Sequence, residues 1–344
     1  MPTPSRTLVL DDAVVSTIDT YVERTPVDVV YNRSLVFGLL WRTAKEPGVA
    51  GPLLRALGVS SPRVSSQGGR LAVLPVAYQT PTSVTTFRGT QKVPTPIDPI
   101  MTEQYSPWAY YTAFAAIPFQ ESVENMGAEA IIDIAQARLD MTYRGFTDRL
   151  ETDFWSDNGD VTPGSQEEIP GIQTYVSTTP TTGTVWNIAQ ATYTWQRSNQ
   201  LTCNSFASNG LDRMRTMFVT CSGVNGIDPP SILITTPTVW GYYVKQAEGV
   251  HRVVDTKDVI DMSFPTARYM GRPVVHTSKC SSGKMYLLNF NYFRLLMHKG
   301  AEWKIIKPGM PNDQVIADQW RIVWSGLWGI ERMDRQGVID TITA

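Results

Sequence analysis

The apolar positions of residues 121–156 repeat with the period of a long amphipathic α-helix. Successive apolar residues fall three or four positions apart on one predicted face: Ile131, Ile134, Ala135, Leu139, Tyr143, Phe146, Leu150 and Phe154. The motif Asp157-Asn158-Gly159 predicts the end of the helix, with Gly159 in the left-handed cap conformation. Counted from Asn125, the helix would have about 33 residues and a length of about 50 Å.

This predicted spine helix is long relative to the molecule. A compact chain of 344 residues has a radius of gyration of about 20 Å, so the helix would be as long as the body is wide. We expect a bend at Gly127 or Gly145, because glycine weakens a helix by about 1 kcal/mol relative to alanine. The pattern therefore predicts a molecule built along a rod.

Ahead of the helix, the pattern predicts an arm over residues 1–66 and a β excursion over 67–118. The arm ends in a linker rich in Pro, Gly and Ser over Pro47–Ser66. Outgoing and returning strands are predicted at Arg70–Gln79 and Tyr105–Phe119, with a proline-rich tip between them. A lone two-stranded ribbon is marginally stable in water, so we expect it to lie on another subunit. A hairpin folded back on its own domain is the alternative.

The second half of the chain has a mixed α/β pattern. Strands and loops are predicted over Gly171–Trp195, and helices over Phe206–Cys221 and Thr236–Ala247, the second with Thr236 as N-cap before Pro237. Further strands are predicted at Ser231–Thr235, Val253–Asp261, Arg272–His276, Lys284–Asn289, Tyr292–His298, Asp313–Trp328 and Gly337–Ile342. The chain is therefore expected to belong to the α+β class.

Composition adds one ambiguous signal. Charged residues make up 18% of the chain, and it contains ten Trp, 14 Tyr and 11 Phe. Low charge with many aromatics is typical of a surface covered by partners, but a large β-rich core explains it equally well. The net charge of -2 does not favour nucleic-acid binding. Scattered basic residues are expected to pair with a neighbouring subunit's carboxylates rather than with packaged nucleic acid: Arg24, Arg33, Arg42, Arg63, Arg70, Arg88 and Lys92.

Candidate chemistry is sparse. His251, His276 and His298 have no Glu or Cys at metal-ligand spacing, so no metal site is predicted. The three cysteines, Cys203, Cys221 and Cys280, are widely spaced and expected to be reduced thiols.

Groups that resemble known motifs are assigned structural roles. Ser282-Gly283-Lys284-Met285 lacks the first glycine and the final hydroxyl of a phosphate loop. Helix-end and link carboxylates are expected to be solvated: Glu151, Asp153, Asp157, Glu167 and Glu168. We therefore predict no catalytic, cofactor-binding or metal-binding residues, no cofactor and no enzymatic activity. The beginning of the chain lacks the pattern of a secretory signal, and Trp108–Phe119, the longest nearly apolar run, is too short to span a bilayer.

Several local sequences occur in an informative order. They are Gly68-Gly69 before an alternating strand, Gly127 with Glu129-Ala130-Ile131-Ile132-Asp133, Tyr193-Thr194-Trp195-Gln196-Arg197-Ser198-Asn199, and Gly271-Arg272-Pro273-Val274-Val275 followed by Gly283-Lys284-Met285-Tyr286-Leu287-Leu288-Asn289. Together with the order of arm, β excursion, long helix and mixed second half, they resemble tailed-phage major capsid proteins of the HK97 fold. The resemblance covers residues 65–340.

The resemblance implies an HK97-like fold with a long spine helix, an extended β-hairpin E-loop, a P domain and an A domain. The corresponding parts would be the N-terminal arm over 1–66, the E-loop over 67–118, the P domain with the spine helix over 119–200, the A domain over 201–315, and closing strands of the P domain over 316–344.

The implied function is self-assembly through hexamers and pentamers into an icosahedral shell that encloses the phage genome. Implied partners are further copies of the chain, a scaffolding protein, a portal, decoration proteins and non-specifically contacted double-stranded DNA, with no membrane. The implied location is the virion, after assembly in the host cytoplasm. An encapsulin-like compartment shell is the nearest alternative, and a hydrolase on an α+β scaffold is a remote one.

Overall fold

The computed structural model describes residues 63–344 apart from short internal gaps. The gaps are 80–85, 91, 93–98, 119, 121–133, 163, 165–166, 224–225, 251–266 and 307–316. The chain divides into two compact units. Among the described residues, the larger unit contains 63–111, 149–304 and 323–344, and the smaller contains 112–148 and 305–322.

Helices and strands are mixed along the described residues. The helices are α1 Ile134–Trp155, α2 Ile172–Tyr175, α3 Phe206–Ser222 and α4 Pro237–Val250. The strands are β1 Arg63–Gln67, β2 Leu71–Ala77, β3 Met101–Pro107, β4 Ala109–Pro118, β5 Thr184–Val185, β6 Ile188–Ala189, β7 Asn199–Thr202, β8 Ile232–Thr235, β9 Ala267–Tyr269, β10 Arg272–His276, β11 Met285–Leu288, β12 Phe293–His298, β13 Lys304–Ile306, β14 Ala317–Ile330 and β15 Gly337–Asp340.

A six-stranded mixed sheet forms the centre of the larger unit, with the strand order β7-β15-β11-β8-β10-β9. Strands β8 and β11 run antiparallel in the middle, and every side chain on them is buried. Continuous apolar runs are typical of strands that are covered on both faces. Leu233, Met285 and Leu287 share one apolar core with Met214 of α3 and Val239 of α4.

A second sheet contains β1, β12, β14 and β13 in that order, and β4 also pairs with β14. Strand β1 runs parallel to β12, with Arg63 opposite Arg294 and Gln67 opposite His298. The linker predicted over Pro47–Ser66 is therefore wrong at its end, where the chain enters a sheet. The sequence shows little of this, because Arg63–Gln67 is a polar strand held by backbone hydrogen bonds.

Aromatic rings connect the end of α1 to strand β14 within the larger unit. The Trp328 ring lies 4.6 Å from Phe154, 4.4 Å from Tyr175 and 5.7 Å from Phe293, between ring centroids. The Trp328 Nε1–H donates a hydrogen bond of 2.7 Å to the Pro170 carbonyl, so its polar atom is satisfied inside the core.

Within the stretch predicted to be a long helix, residues 134–155 are helical. Helix α1 has 22 residues, or about 33 Å, and it continues through Gly145. The predicted start and Gly127 lie outside the described residues. The predicted left-handed cap at Gly159 is wrong, because Gly159 has no positive φ. Instead, the Ser156 hydroxyl donates 2.6 Å to the Asp153 carbonyl and accepts from the Asn158 N–H at 3.1 Å.

The β excursion contains an antiparallel ribbon of β2 and β3. Pairing runs from Leu71 opposite Pro107 to Ala77 opposite Met101, which confirms the outgoing strand. The predicted return over Tyr105–Phe119 is wrong in its start and continuity, because β3 begins at Met101 and Trp108 separates it from β4. Most of the proline-rich tip lies outside the described residues.

Most predicted elements of the second half are confirmed, with ends shifted by a few residues. Helix α4 begins where the sequence predicts it, and the Thr236 hydroxyl accepts from the Val239 N–H at 3.4 Å. Gly171–Trp195 contains the short helix α2, which the sequence analysis missed. The predicted strand Val253–Asp261 lies outside the described residues. In the described part of the chain, the helices are too short or too polar to cross a membrane.

Candidate assembly surfaces

The ribbon of β2 and β3 has one face against its own body. Ala72 and Leu74 on β2 are buried, as are Gln104 and Ser106 on β3. The register pairs Leu74 with Gln104 and Ala72 with Ser106. Because side chains alternate between the faces of a strand, these four residues define one buried face, which we call the inward face.

The inward face touches the body at two places. A Cβ atom on Gly329 would lie 2.7 Å from Leu74 Cδ1 and 2.7 Å from Trp186 Cζ2, so the ribbon, the β5–β6 hairpin and β14 meet closely there. The Gln104 Nε2 also donates a buried hydrogen bond of 2.8 Å to Gln196 Oε1. The base of the ribbon therefore rests on its own chain, which is the alternative that the sequence left open.

The opposite face of the ribbon, which we call the outward face, is apolar and open. Its residues are Leu71, Val73, Pro75, Ala77, Met101, Glu103, Tyr105 and Pro107, with Glu103 as the single charge. Met101 is 67% exposed and Tyr105 is 41% exposed. Exposed apolar residues that are grouped on one surface are typical of interaction sites.

Other exposed apolar side chains occur in both units. In the larger unit they are Phe87, Ile100, Tyr110, Tyr193, Val219, Ile227 and Met270, and in the smaller unit Phe114, Met141, Ile305 and Ile306. Met270 has a φ of 47°, before Gly271 with a φ of 78°, so it occupies the left-handed region in the turn between β9 and β10. Met270 is thus an exposed apolar residue in a conformation that Asn or Gly adopts more readily.

A partly buried carboxylate contacts the turn of the β5–β6 hairpin. Asp160 Oδ2 accepts a hydrogen bond of 2.7 Å from the Trp186 backbone N–H. The Trp186 Nε1–H donates 2.6 Å to the Tyr175 hydroxyl, which donates 3.0 Å to the Trp328 carbonyl. Burial raises the pKa of Asp160 to about 6, although the Trp186 N–H opposes the shift.

The prediction that the carboxylates at the end of α1 and in the following link are solvated holds for Asp157 and Glu167, which are exposed, but it is wrong for Glu151 and Asp153. Glu151 and Asp153 are 1% and 4% exposed. Glu151 Oε1 accepts from the Trp155 Nε1–H at 2.9 Å. Asp153 Oδ2 accepts from the Tyr111 hydroxyl at 2.8 Å and from Arg149 Nε at 3.0 Å. These contacts give both carboxylates partners inside the protein.

Glu168 was also predicted to be solvated, and it too is engaged. It pairs with Arg149 and accepts from the Asn158 Nδ2–H at 3.0 Å. The neighbouring Ile169 N–H donates 2.8 Å to the Tyr111 hydroxyl. Strand β4, the end of α1 and the following link are therefore tied together by one polar network.

The remaining nucleophilic and titratable candidates have structural surroundings. Cys203, Cys221 and Cys280 are free and buried, and burial raises the pKa of Cys221 and Cys280 to about 12. Burial lowers the pKa of His276, whose ring lies 4.9 Å from Trp240. His298 packs edge-on against Trp108. His251 lies outside the described residues, which contain no cluster of three His, Cys, Asp or Glu suited to a metal ion.

The sequence resembling a phosphate loop is a turn between strands. Gly283 has a φ of 66°, and Lys284 Nζ donates 2.7 Å to Gln173 Oε1. A lysine held by a side-chain amide in this way is not directed at a phosphate. The contact supports the structural assignment that the sequence suggested.

Sequence reasoning missed Asp160, Trp186 and Gln104. Asp160 sits in a turn-rich link, where a carboxylate is ordinarily solvated. No local pattern places Trp186 at a φ of 51° in a tight turn. A signal for Gln104 existed, since it lies opposite the apolar Leu74 once the ribbon register is known.

No protein-family model matches this sequence, and no curated protein matches it. Solved structures do match the fold. The cyanophage A-1(L) capsid asymmetric unit aligns with a TM-score of 0.61 at 16% identity, covering 92% of this chain and 97% of that chain. The Gordonia phage Cozz structure aligns with a TM-score of 0.55 at 12% identity, covering 100% and 97%.

A compartment shell is among the similar structures. The holo-SrpI encapsulin complex of Synechococcus elongatus aligns with a TM-score of 0.56 at 10% identity, covering 97% of this chain and 96% of that chain. The chain therefore has the HK97-like capsid fold, and the resemblance found in the sequence is confirmed at the level of the fold.

Proposed function

We propose that this chain is the major capsid protein of a tailed phage. Copies would assemble through hexamers and pentamers into an icosahedral shell around the phage genome. The observation that carries the proposal is the match of nearly the whole chain to capsid folds. The exposed outward face of the ribbon supports it, because a monomeric protein gains nothing from an apolar ribbon surface.

The ribbon gives the proposal a physical basis. Its inward face fixes it on the body, so the outward face is presented in a defined direction. A second copy would cover Met101 and Tyr105 in a heterologous contact, which closes into rings when repeated by rotation. Each contact can be weak, because closure of many contacts in one cage gives the stability.

The proposed partners follow from the same role. The chain would associate with copies of itself and with scaffolding, portal and decoration proteins, and would contact packaged double-stranded DNA without sequence specificity. It would be located in the virion and would have structural rather than enzymatic activity. The exposed basic side chains Arg70, Arg88 and Lys92 would meet carboxylates of a neighbouring copy.

An encapsulin-like shell is the second candidate, favoured by the alignment to the holo-SrpI encapsulin complex. The two functions differ in what the shell encloses. Particles purified from the native source would contain DNA of genome length if the capsid proposal is right, and a protein cargo if the compartment alternative is right. Nuclease digestion after particle disruption, with mass spectrometry of the contents, separates them.

Electron microscopy of the overexpressed chain tests assembly. We expect closed shells from the unaltered chain, and folded subunits without shells from Met101→Glu, because a charge would be buried when the outward face is covered. Ser208→Glu, at an exposed position of α3, is the matched control and should form shells. Closed shells from Met101→Glu would show that the outward face is not an assembly contact.

A further inference from the structure

The turn of the β5–β6 hairpin has an unusual residue at its tip. Trp186 and Asn187 have φ values of 51° and 61°, so both occupy the left-handed region of a two-residue turn. This conformation costs a tryptophan about 1 kcal/mol or more. The indole is buried despite its place at a turn. We call the turn formed by Trp186 and Asn187 the plug, because its tryptophan fills space inside the protein.

This plug touches both strands of the ribbon. The Trp186 ring packs at Gly329 where Leu74 of β2 also arrives. On the other strand, the Tyr105 hydroxyl accepts a hydrogen bond from the Asn187 side chain. The position of the turn and the docking of the ribbon are therefore mechanically connected.

Asp160 forms a hydrogen bond with the backbone of the plug. Its Oδ2 accepts from the Trp186 N–H at 2.7 Å, whereas its buried Oδ1 has no hydrogen-bond partner among the described residues. Among the titratable side chains of adjacent elements, Tyr175 of α2 interacts electrostatically with Asp160, and Tyr105 of β3 contacts the Asn187 side chain of the same turn. Within the described chain, no cationic side chain lowers the pKa of Asp160. A negative charge at this place is poorly compensated.

We propose that Asp160 is a proton-dependent latch that sets how firmly the base of the ribbon docks on its own body. With the ribbon docked, Trp186 and its turn shield the carboxyl from water, and the neutral acid is favoured. When the ribbon base lifts, the turn is uncovered and the carboxylate becomes hydrated. Proton uptake therefore stabilises the docked ribbon, and proton release loosens it.

The burial of Asp160 places this equilibrium near neutral pH. Its pKa is raised to about 6 in the folded chain, so a change between pH 5 and pH 7.5 converts the acid to the carboxylate. The proposal concerns the folded chain itself and does not require shell assembly. It goes beyond the proposed function, because it assigns a control to the direction in which the outward face is presented.

Hydrogen–deuterium exchange of the full-length protein tests the latch. The protection factors of amides in Leu71–Ala77, corrected for intrinsic exchange, should fall on the order of tenfold from pH 5 to pH 7.5. Asp160→Asn should hold its low-pH protection at both pH values, because the amide can accept from the Trp186 N–H without charge. Asp157→Asn, an exposed neighbour, should behave like the unaltered chain.

Two outcomes would overturn the proposal. If Leu71–Ala77 is equally protected at both pH values in the unaltered chain, protonation of Asp160 is not coupled to ribbon docking, whatever the variants do. A full pH-dependent fall that persists in Asp160→Asn assigns the effect to another group. Tyr105→Phe gives a second check, because loss of the Asn187 contact should lower protection at both pH values and leave the pH-dependent fall in place.

Discussion

At the scale of single residues, buried polar groups define the fold as much as the apolar core does. Asp153 is buried, and it is tolerated because the Tyr111 hydroxyl and the Arg149 guanidinium both donate to it. Asp160 receives one strong donor and keeps a raised pKa. The same residue type is thus an acceptor in a structural network in one place and a titratable group in the other.

Removal of the Tyr111 hydroxyl should test the first of these sites. Tyr111→Phe deletes the donor to Asp153 and the acceptor of the Ile169 N–H. Leaving two buried polar groups short of partners should lower the free energy of unfolding by about 1–3 kcal/mol. Urea denaturation measures this, with the exposed Tyr110→Phe as control, which should be neutral. Equal stability of the two variants would contradict the network.

The pH dependence of stability tests the second site. The folded pKa of Asp160 is about 6 and the ordinary value is 3.8, so between pH 4 and pH 6 the folded chain holds a proton that the unfolded chain has released. Stability from this group is therefore present at low pH and falls as pH rises through that window. Asp160→Asn should match the unaltered chain at pH 4 and exceed it at pH 7.5 by about 1–3 kcal/mol. Lower stability of the variant than of the unaltered chain at pH 7.5 would contradict the predicted direction of the pH dependence.

At the scale of elements, what the sequence predicted well is what local pattern encodes. The spacing of apolar residues and the positions of turn residues predict helix α3, strand β8 and strand β11. The structure confirms these three elements at the predicted positions. The polar strand β1 was missed because its pairing with β12 is a long-range backbone contact. The two faces of the ribbon could not be separated either, since Leu71, Val73 and Leu74 are all apolar, and the register decides which of them is buried.

The close packing of β2, the β5–β6 hairpin and β14 at Gly329 can be tested by adding one methyl group to this glycine. Gly329→Ala would place a Cβ 2.7 Å from Leu74 Cδ1 and from Trp186 Cζ2, so the ribbon or the hairpin must move, at a cost of about 1–3 kcal/mol. Gly241→Ala in α4 is the matched control. Its Cβ would meet nothing within 4 Å, so it should raise stability by about 0.5–1 kcal/mol. Thermal melts that rank Gly329→Ala above Gly241→Ala would refute the close packing.

At the scale of the whole molecule, a subunit of the proposed shell must carry surfaces that become covered only by other copies. The fold matches that of capsid structures over most of the chain, although the sequence identity is only 16% or less in the alignments described. Such divergence preserves the fold because buried positions accept many apolar residues of similar volume. Under the proposed function, the surfaces that contact other copies are specific to this chain, and the outward face of the ribbon is the strongest candidate.

Mixing experiments test directly whether closed shells need the outward face of every copy. If each closed shell needs the outward face of every copy, a minority of Met101→Glu chains should reduce the yield of shells by much more than their share. The reason is that one defective contact interrupts a ring, and the energy of closure is lost for the whole ring. Co-expression at several ratios, followed by sedimentation and particle counting, gives the dependence. A yield that falls only in proportion to the variant would mean that the copies contribute independently, and Ser208→Glu at the same ratios should leave the yield unchanged.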